Sequence, residues 1–302
     1  MADKTIRIDN ISEYNRSLGL ETRHPLVTVV DLAKAAPGSI APEATYMYGV
    51  YALFLKQSYC GDITYGRQPY DYQEGTVASY APGQTIHVKG RPGAKHNSVG
   101  LLFHPDLIVG TELGRTITGY RFFSYAVNEA LHLSEEERGI FLDCLHNIST
   151  ELQHSIDNHS RGLICRNIQL LLDYCMRFYE RQFITRENVN RDVLVRFEQL
   201  LDDYFDGRNA QLKGLPSVKY FAENCFLSPN YFGDLVKKET GRTPQEYIQK
   251  KVVALAKDRL AASDAPVGEV AESLGFLYSQ HFNRFFKRNV GQTPSEYRRS
   301  LS

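Results

Sequence analysis

Gly241-Arg242-Thr243-Pro244-Gln245-Glu246-Tyr247 returns fifty residues later as Gly291-Gln292-Thr293-Pro294-Ser295-Glu296-Tyr297. Working back from these tails, the whole segment Val218 to Tyr247 recurs as Val267 to Tyr297. Ala222/Ala271 and Glu223/Glu272 are 49 positions apart, whereas Phe232/Phe282 and the tails are 50 apart, so the second turn carries one inserted residue. Each copy reads as a short helix, a tight turn, a second helix bearing lysines, and the tail. Two helix-turn-helix units at this spacing form a surface able to enter two successive major grooves of duplex DNA.

The punctuation of each copy is chemical. Asp192 to Phe205 reads as an amphipathic helix with Leu194, Phe197, Leu200, Leu201 and Tyr204 inward, closed by Asp206-Gly207. After a polar loop, Pro216 fits the first turn of a short helix through Asn224, where a missing N–H costs nothing. Cys225-Phe226-Leu227 turns the chain, Ser228 caps a helix from Pro229 to about Thr240, and Gly241 stops it. In the second copy Pro266 sits in the first turn of a helix through Leu274, Gly275 supplies a left-handed stop, and the next helix spans Ser279 to Val290. Between the copies, Pro244 to Ala262 reads as one helix. At 1.5 Å per residue its length is about 28 Å, close to the roughly 34 Å between successive major grooves on one face of DNA.

Phe232, Leu235 and Val236, and likewise Phe282, Phe285 and Phe286, fall at i, i+3, i+4 and must pack inward. That leaves Asn230, Gly233, Asp234 and Lys237 on the open face of one helix, and Gln280, Asn283, Arg284 and Lys287 on that of the other. Arg pairs with guanine, Asn or Gln with adenine, and a carboxylate accepts from cytosine. The expected base readers are therefore Asn230, Asp234, Ser279, Gln280, Asn283 and Arg284. Ser228, Lys237, Lys238, Arg242, Lys287 and Arg288 lie where phosphates would pass.

At these residues the chain resembles the AraC-type family of bacterial transcription regulators. The matching stretches are Ala222-Glu223, Ser228 through Gly241, Val270 through Phe276 and Phe282 through Lys287. The resemblance covers residues 190–302. It implies a seven-helix DNA-binding domain behind a variable, often cupin-like N-terminal domain that binds an effector or dimerises. One departure stands out: Gly233 and Asp234 occupy places where the family carries larger polar or basic residues, which shifts base reading toward the second unit and Arg284.

The remaining composition is that of a globular chain, with 42% hydrophobic and 23% charged residues. Net charge is zero, but its distribution is not even. Residues 213–302 hold 14 Lys and Arg against 9 Asp and Glu, and the rest hold 21 against 26. A basic end on an acidic body fits nucleic-acid contact confined to that end. Residues 25 to 105 read as short strands (Leu26–Val30, Tyr51–Leu55, Thr76–Tyr80) between turns at Pro37-Gly38, Cys60-Gly61-Asp62, Pro82-Gly83 and Arg91-Pro92-Gly93. Glu74-Gly75, Pro82-Gly83 and His87 resemble the Gly, Pro-Gly, His stretch of cupin barrels. The His-x-His of metal-binding cupins is missing, and His87, His96 and His104 are not expected to hold a metal, nor the barrel to catalyse.

From Ser134 the pattern turns helical, with an acidic first turn at Glu135-Glu136-Glu137 and an apolar stripe of Ile140, Phe141, Cys144, Leu145, Ile148 and Leu152. A second helix from Arg161 to Gln182 carries Ile164, Ile168, Leu171, Leu172, Cys175 and Phe178 on one stripe, which serves either the core or a dimer seam. The five cysteines show no metal or disulfide spacing and read as reduced, buried thiols. Neither a signal peptide nor a membrane-length apolar run is evident, so a cytoplasmic protein is expected.

The expected fold is α+β and multidomain: an N-terminal cupin-like β-barrel with helices and a C-terminal all-α tandem helix-turn-helix domain. The expected divisions are a sensor barrel over 1–130, a helical dimerisation and linker region over 131–187, and the DNA-binding domain over 188–302. The reading is a non-enzymatic, homodimeric transcription regulator and activator, without metal or cofactor. Its partners are operator DNA, RNA polymerase and an unidentified small-molecule effector. The competing classes are a cupin-type enzyme carrying a DNA-binding appendage, an N-terminal half that only dimerises, and an alkyl-transfer DNA-repair protein. The last of these needs a clustered zinc-binding cysteine set that this sequence lacks.

Overall fold

The computed structural model describes residues 5–41, 43–57, 61–65, 68–69, 75–90, 97–125, 129–154, 157, 159–185, 187–207, 209–262 and 265–301, with backbone alone at 61–65, 68–69, 89–90, 185 and 187–189. Cys60, Glu74, His96, Arg186 and the turn expected at 91–93 lie outside the described residues. The chain divides into two compact units, Met1–Thr185 and Arg186–Ser302.

The first unit holds two five-stranded sheets that share one core. One has the order β1 (Thr5–Ile8), β3 (Glu43–Tyr48), β8 (Thr85–Gly90), β5 (Gly61–Tyr65), β6 (Gln68–Pro69), with β1 parallel to β3. The other has the order β10 (Leu131–His132), β7 (Thr76–Tyr80), β4 (Tyr51–Lys56), β9 (Ser98–Phe103), β2 (Val27–Asp31), antiparallel throughout. The expected β-rich half is present, though β2 starts one residue later than its apolar run, and Thr5–Ile8 and the helix α1 (Ile11–Ser17) lie upstream of the region read as strands.

β4 is buried along nearly its whole length. Ala52 and Phe54 enter the shared core with Tyr48, Tyr80, Ile86 and Leu102, while Leu53 and Leu55 point to the opposite face. A strand covered on both faces reads as a continuous apolar run rather than an alternation. Opposite Phe54 in the register stands Gly100, where an added Cβ would come within 2.5 Å of the Phe54 ring. Only glycine leaves space for that ring.

Helices α2 (Pro105–Ile108) and α3 (Glu112–Thr116) lead through short 3-10 turns toward α4 (Glu135–Glu151) and α5 (Ser160–Thr185). Ser134 closes a capping box with Glu137 at the start of α4, as its acidic first turn led one to expect. In α5 the stripe Ile164, Ile168, Leu171, Leu172, Cys175 and Phe178 is buried within the unit, whereas Leu163 and Leu170 stay 43% and 46% exposed. Gln182 ties α5 to the strand end, accepting from His132 N–H at 2.8 Å and donating to the Ala130 carbonyl at 3.2 Å. Arg181 pairs with Glu137 at 2.8 Å, joining α5 to the start of α4.

The second unit is wholly helical among its described residues: α6 (Glu187–Asp206), α7 (Asn209–Lys213), α8 (Val218–Asn224), α9 (Pro229–Thr240), α10 (Pro244–Ala262), α11 (Val267–Ser273), α12 (Ser279–Val290) and α13 (Pro294–Arg299). Seven of these are the helices the resemblance implied. The eighth, α7, replaces what reads as a polar loop, because five residues are too few to show a period. α6 begins five residues before Asp192. Two prolines sit just outside the first turns they were expected in: Pro216 precedes the cap Ser217, two places before α8, and Pro266 is itself the cap of α11.

Candidate nucleic-acid interface

The repeated tail is a helix stop followed at once by a helix start. Gly241 (φ 71°) and Gly291 (φ 87°) end α9 and α12 in the left-handed conformation that glycine adopts without penalty. Thr243 and Glu246 then form a reciprocal pair, Thr243 N–H to Glu246 Oε2 at 2.8 Å and Glu246 N–H to Thr243 Oγ1 at 3.3 Å. Thr293 and Glu296 repeat it at 2.7 and 3.3 Å. Pro244 and Pro294 occupy the first helical turn. The bonds donated by threonine to each glutamate hold its carboxyl below the usual range. Tyr247 and Tyr297 close the motif by packing on Phe197 and Phe286, with ring centroids 5.4 and 5.5 Å apart.

The turns between helices are built alike. Leu227 N–H bonds the Ala222 carbonyl at 2.9 Å, and Phe276 N–H bonds that of Ala271 at 3.0 Å. The residue before each is left-handed, Phe226 (φ 60°) in the first copy and Gly275 (φ 90°) in the second. Phe226 is the one non-glycine with positive φ among the described residues, and its ring lies 5.1 Å under the Arg196 guanidinium. Gly275 is doubly constrained, since an added Cβ would stand 2.7 Å from the Gly214 carbonyl carbon and 2.9 Å from the Ala210 carbonyl oxygen.

Against this frame the expected readers can be placed. In α9 Tyr231, Phe232, Leu235 and Val236 are buried, and Asn230, Gly233 and Asp234 are half-buried on the opposite side. Lys237, Lys238 and Arg242 are exposed at the helix end. Ser228 is the cap of α9, with its Oγ accepting from Tyr231 N–H at 3.2 Å. In α12 Phe282 and Phe286 are buried and Phe285 half-buried, while Ser279, Gln280, Asn283, Arg284, Lys287 and Arg288 are all exposed. The two open faces therefore differ. The first is partly shielded and sets one acid, Asp234, before its two helix-end lysines, whereas the second is exposed along its polar side and carries three cations, Arg284, Lys287 and Arg288.

His281 belongs to this second face and was not read from the sequence. It is exposed, sits one turn before Arg284, and its ring meets Tyr278 edge-on at 5.5 Å. Its spacing of three from Arg284 and seven from Arg288 is the signal that would have found it.

The connector α10 is fastened to its neighbours. Lys251 pairs with Asp202 of α6 at 2.5 Å, and Tyr247 Oη donates to the Glu198 carboxylate, where burial and that bond push the phenol up to about 12. Arg259 donates to the Ser273 carbonyl at 2.8 Å, to Ser273 Oγ at 2.7 Å and to the Phe205 carbonyl at 3.1 Å. Arg298 of α13 donates to the Leu260 and Ala265 carbonyls at 3.2 and 2.7 Å. Four helices, α6, α10, α11 and α13, are thus joined by side chains that grip backbone, hydroxyl or carboxylate.

In the first unit His87 and His104 have structural partners. His87 Nδ1 lies 3.2 Å from Thr45 Oγ1 and its Nε2 lies 3.5 Å from Glu43, while His104 caps α2 through Asp106 N–H at 3.2 Å. Tyr48 and Tyr80 stack at 5.1 Å inside the core, where burial pushes both phenols up. Cys144, Cys165, Cys175 and Cys225 are buried free thiols pushed up by desolvation. A cleft of about 380 Å³ opens between β2 and the end of α4, with Leu20, Thr28, Asp31, Lys34, Ser149 and Leu152 among its lining residues.

A family model described as a helix-turn-helix domain matches residues 221–300. The chain is 34% identical over 85 residues to the regulatory protein SoxS of Salmonella typhimurium, covering 28% of this chain and 79% of that one. It is 24% identical over 250 residues to the transcriptional activator RclR of Escherichia coli, covering 78% and 82%. With the probable transcriptional regulator LumQ of Photobacterium leiognathi it shares 27% over 151 residues, half of this chain and 56% of LumQ. The chain thus spans about half the length of that relative, and 35% and 14% of two further curated relatives.

Proposed function

This chain belongs to the AraC-type family of helix-turn-helix transcription regulators, and on that premise we propose that it is a sequence-specific DNA-binding regulator whose α9 and α12 read successive major grooves. The observation that carries the reading is the second open face: on α12 three exposed cations and two exposed amides line one side of a helix whose other side is buried phenylalanine. Gln280, Asn283 and Arg284 contact base edges, while Lys287 and Arg288 contact phosphate. Asn230 and Asp234 play the lesser reading role in α9, with Lys237, Lys238, Arg242 and the Ser228 hydroxyl along the backbone.

Control comes from the first unit. An effector settled there, for which the cleft beside Ser149 offers room, would favour one arrangement of paired DNA-binding units over another. Leu163 and Leu170, exposed one heptad apart on α5, offer a seam to a second copy. Contact with RNA polymerase in the cytoplasm completes the reading as an activator.

The test is selection of duplexes from a random pool by the full chain, followed by titration of the enriched sequence against salt. A steep inverse dependence of affinity on salt is expected, with Arg284→Ala costing about 1–3 kcal/mol on the enriched site and little on random DNA. Lys287→Ala with Arg288→Ala should weaken both sites alike and lower the salt slope by about 2. Equal loss on both sites for Arg284→Ala would reduce it to a phosphate contact.

A further inference from the structure

The two turns match residue for residue as far as Leu227 and Phe276, and the following helices are capped at Ser228 and Tyr278. Between Phe276 and Tyr278 therefore sits a residue with no counterpart in the first copy of the repeat, Leu277. It is 84% exposed, and the adjoining Tyr278 is 59% exposed. An isolated exposed leucine needs no explanation on an ordinary surface. This one adjoins the first turn of α12, from which Gln280 and His281 also project into solvent, with Arg284 exposed on the following turn. The cap of α12 makes no side-chain hydrogen bond, unlike the Ser228 cap of α9. The end of a reading helix that bears this apolar pair is the end that meets base edges in helix-turn-helix complexes. On those edges the major groove presents donors, acceptors and one apolar group, the 5-methyl of thymine.

We propose that Leu277, flanked by Tyr278, packs on the 5-methyl group of a thymine in the operator and so fixes base identity at a position that hydrogen-bonding side chains do not read. The inference rests on the DNA-binding reading above. It explains why the inserted residue is aliphatic where a polar one would be better solvated, and it assigns the second helix-turn-helix copy a mixed code of apolar contact at the helix start and Arg284 one to two turns on.

The experiment uses the full chain and the duplex enriched from a random pool, with each thymine replaced in turn by uracil, which lacks only the methyl. At one or two positions uracil should weaken wild-type binding about three- to fivefold, the size expected for one buried methyl. Leu277→Ser should bind the thymine duplex more weakly by a similar factor and no longer distinguish uracil from thymine. Leu277→Met should retain the distinction, and so should Arg284→Ala, despite its weaker binding. Unchanged far-UV circular dichroism will show that the exposed substitutions leave the fold alone. Uracil discrimination that persists in Leu277→Ser, or that is absent from wild type, overturns the proposal while leaving the regulator reading standing. Wild-type operator binding by Leu277→Ser combined with lost transcription overturns it too, by assigning the leucine to a protein partner. Failure to enrich any duplex overturns both readings.

Discussion

Phe226 and Gly275 hold the same place in two copies of one turn, yet they are not interchangeable. A left-handed backbone costs a non-glycine residue about 1–2 kcal/mol. At Phe226 (φ 60°) the side chain projects outward, 55% exposed, and its ring recovers part of that cost under Arg196. At Gly275 no side chain can project, because Gly214 and Ala210 approach the position to within 2.7 and 2.9 Å of a Cβ. Phe226→Gly should therefore change stability by less than about 1 kcal/mol, since relief of the backbone is offset by glycine's freedom in the unfolded chain and by the lost ring contact. Gly275→Ala should cost about 2–4 kcal/mol, adding steric strain to the left-handed penalty. Urea unfolding followed by far-UV circular dichroism measures both. Equal effects would mean that the two turns share a tolerance their packing denies.

At the level of whole elements, the tail motif owes its recurrence to stopping one helix and starting the next within three residues. Its glutamates make the start sensitive to acid. Glu246 and Glu296 titrate below their ordinary value of 4.5 because the charged form accepts threonine N–H and O–H bonds. A folded-state value depressed below the unfolded one contributes stability that is complete above about pH 4.5 and disappears as pH falls through the lower folded value. Acid titration of Glu246→Gln/Glu296→Gln should accordingly show a shallower loss of helix below pH 4.5 than the parent chain. An identical titration curve would refute the assignment.

These starts and stops were legible because glycine, proline, threonine and glutamate act locally, and the helices of the second unit fall within a few residues of where they were expected. Elements set by tertiary contact were not legible. α7 is five residues with no period to read, and it earns its helix by seating Ala210 in the core and Gly214 against Gly275. Thr5–Ile8 becomes a strand by pairing with Glu43–Tyr48, a partner some forty residues away. The inward and outward faces of α9 and α12 followed from spacing alone. The exposure of His281, Leu277 and Tyr278 did not, because the start of a helix is defined by the turn before it and not by its period.

Across the whole second unit the decisive property is rigidity between the two readers. Two contacts in successive grooves reinforce each other only if their separation is fixed before binding, since ordering a loose connector would consume the gain. On the proposed function the length of α10 would set that separation, and Arg259 would hold it, since it joins α10 to the end of α11 and to the Phe205 carbonyl of α6. Replacing this guanidinium leaves three acceptors on two neighbouring helices without their donor. Arg259→Ala is expected to destabilise the unit by about 1–3 kcal/mol, the range for leaving buried polar groups unpaired. It should also weaken binding to a duplex spanning both grooves more than to one offering a single groove. Arg259 is half-buried and occupied by protein acceptors, so it is no phosphate contact and the slope of affinity against salt should stay unchanged. Lys in its place can meet one acceptor but not span both helices, so Arg259→Lys should restore little of the two-groove advantage. Parallel loss on one-groove and two-groove duplexes, or a lower salt slope, would show that Arg259 touches DNA and that the spacing of the readers is set elsewhere.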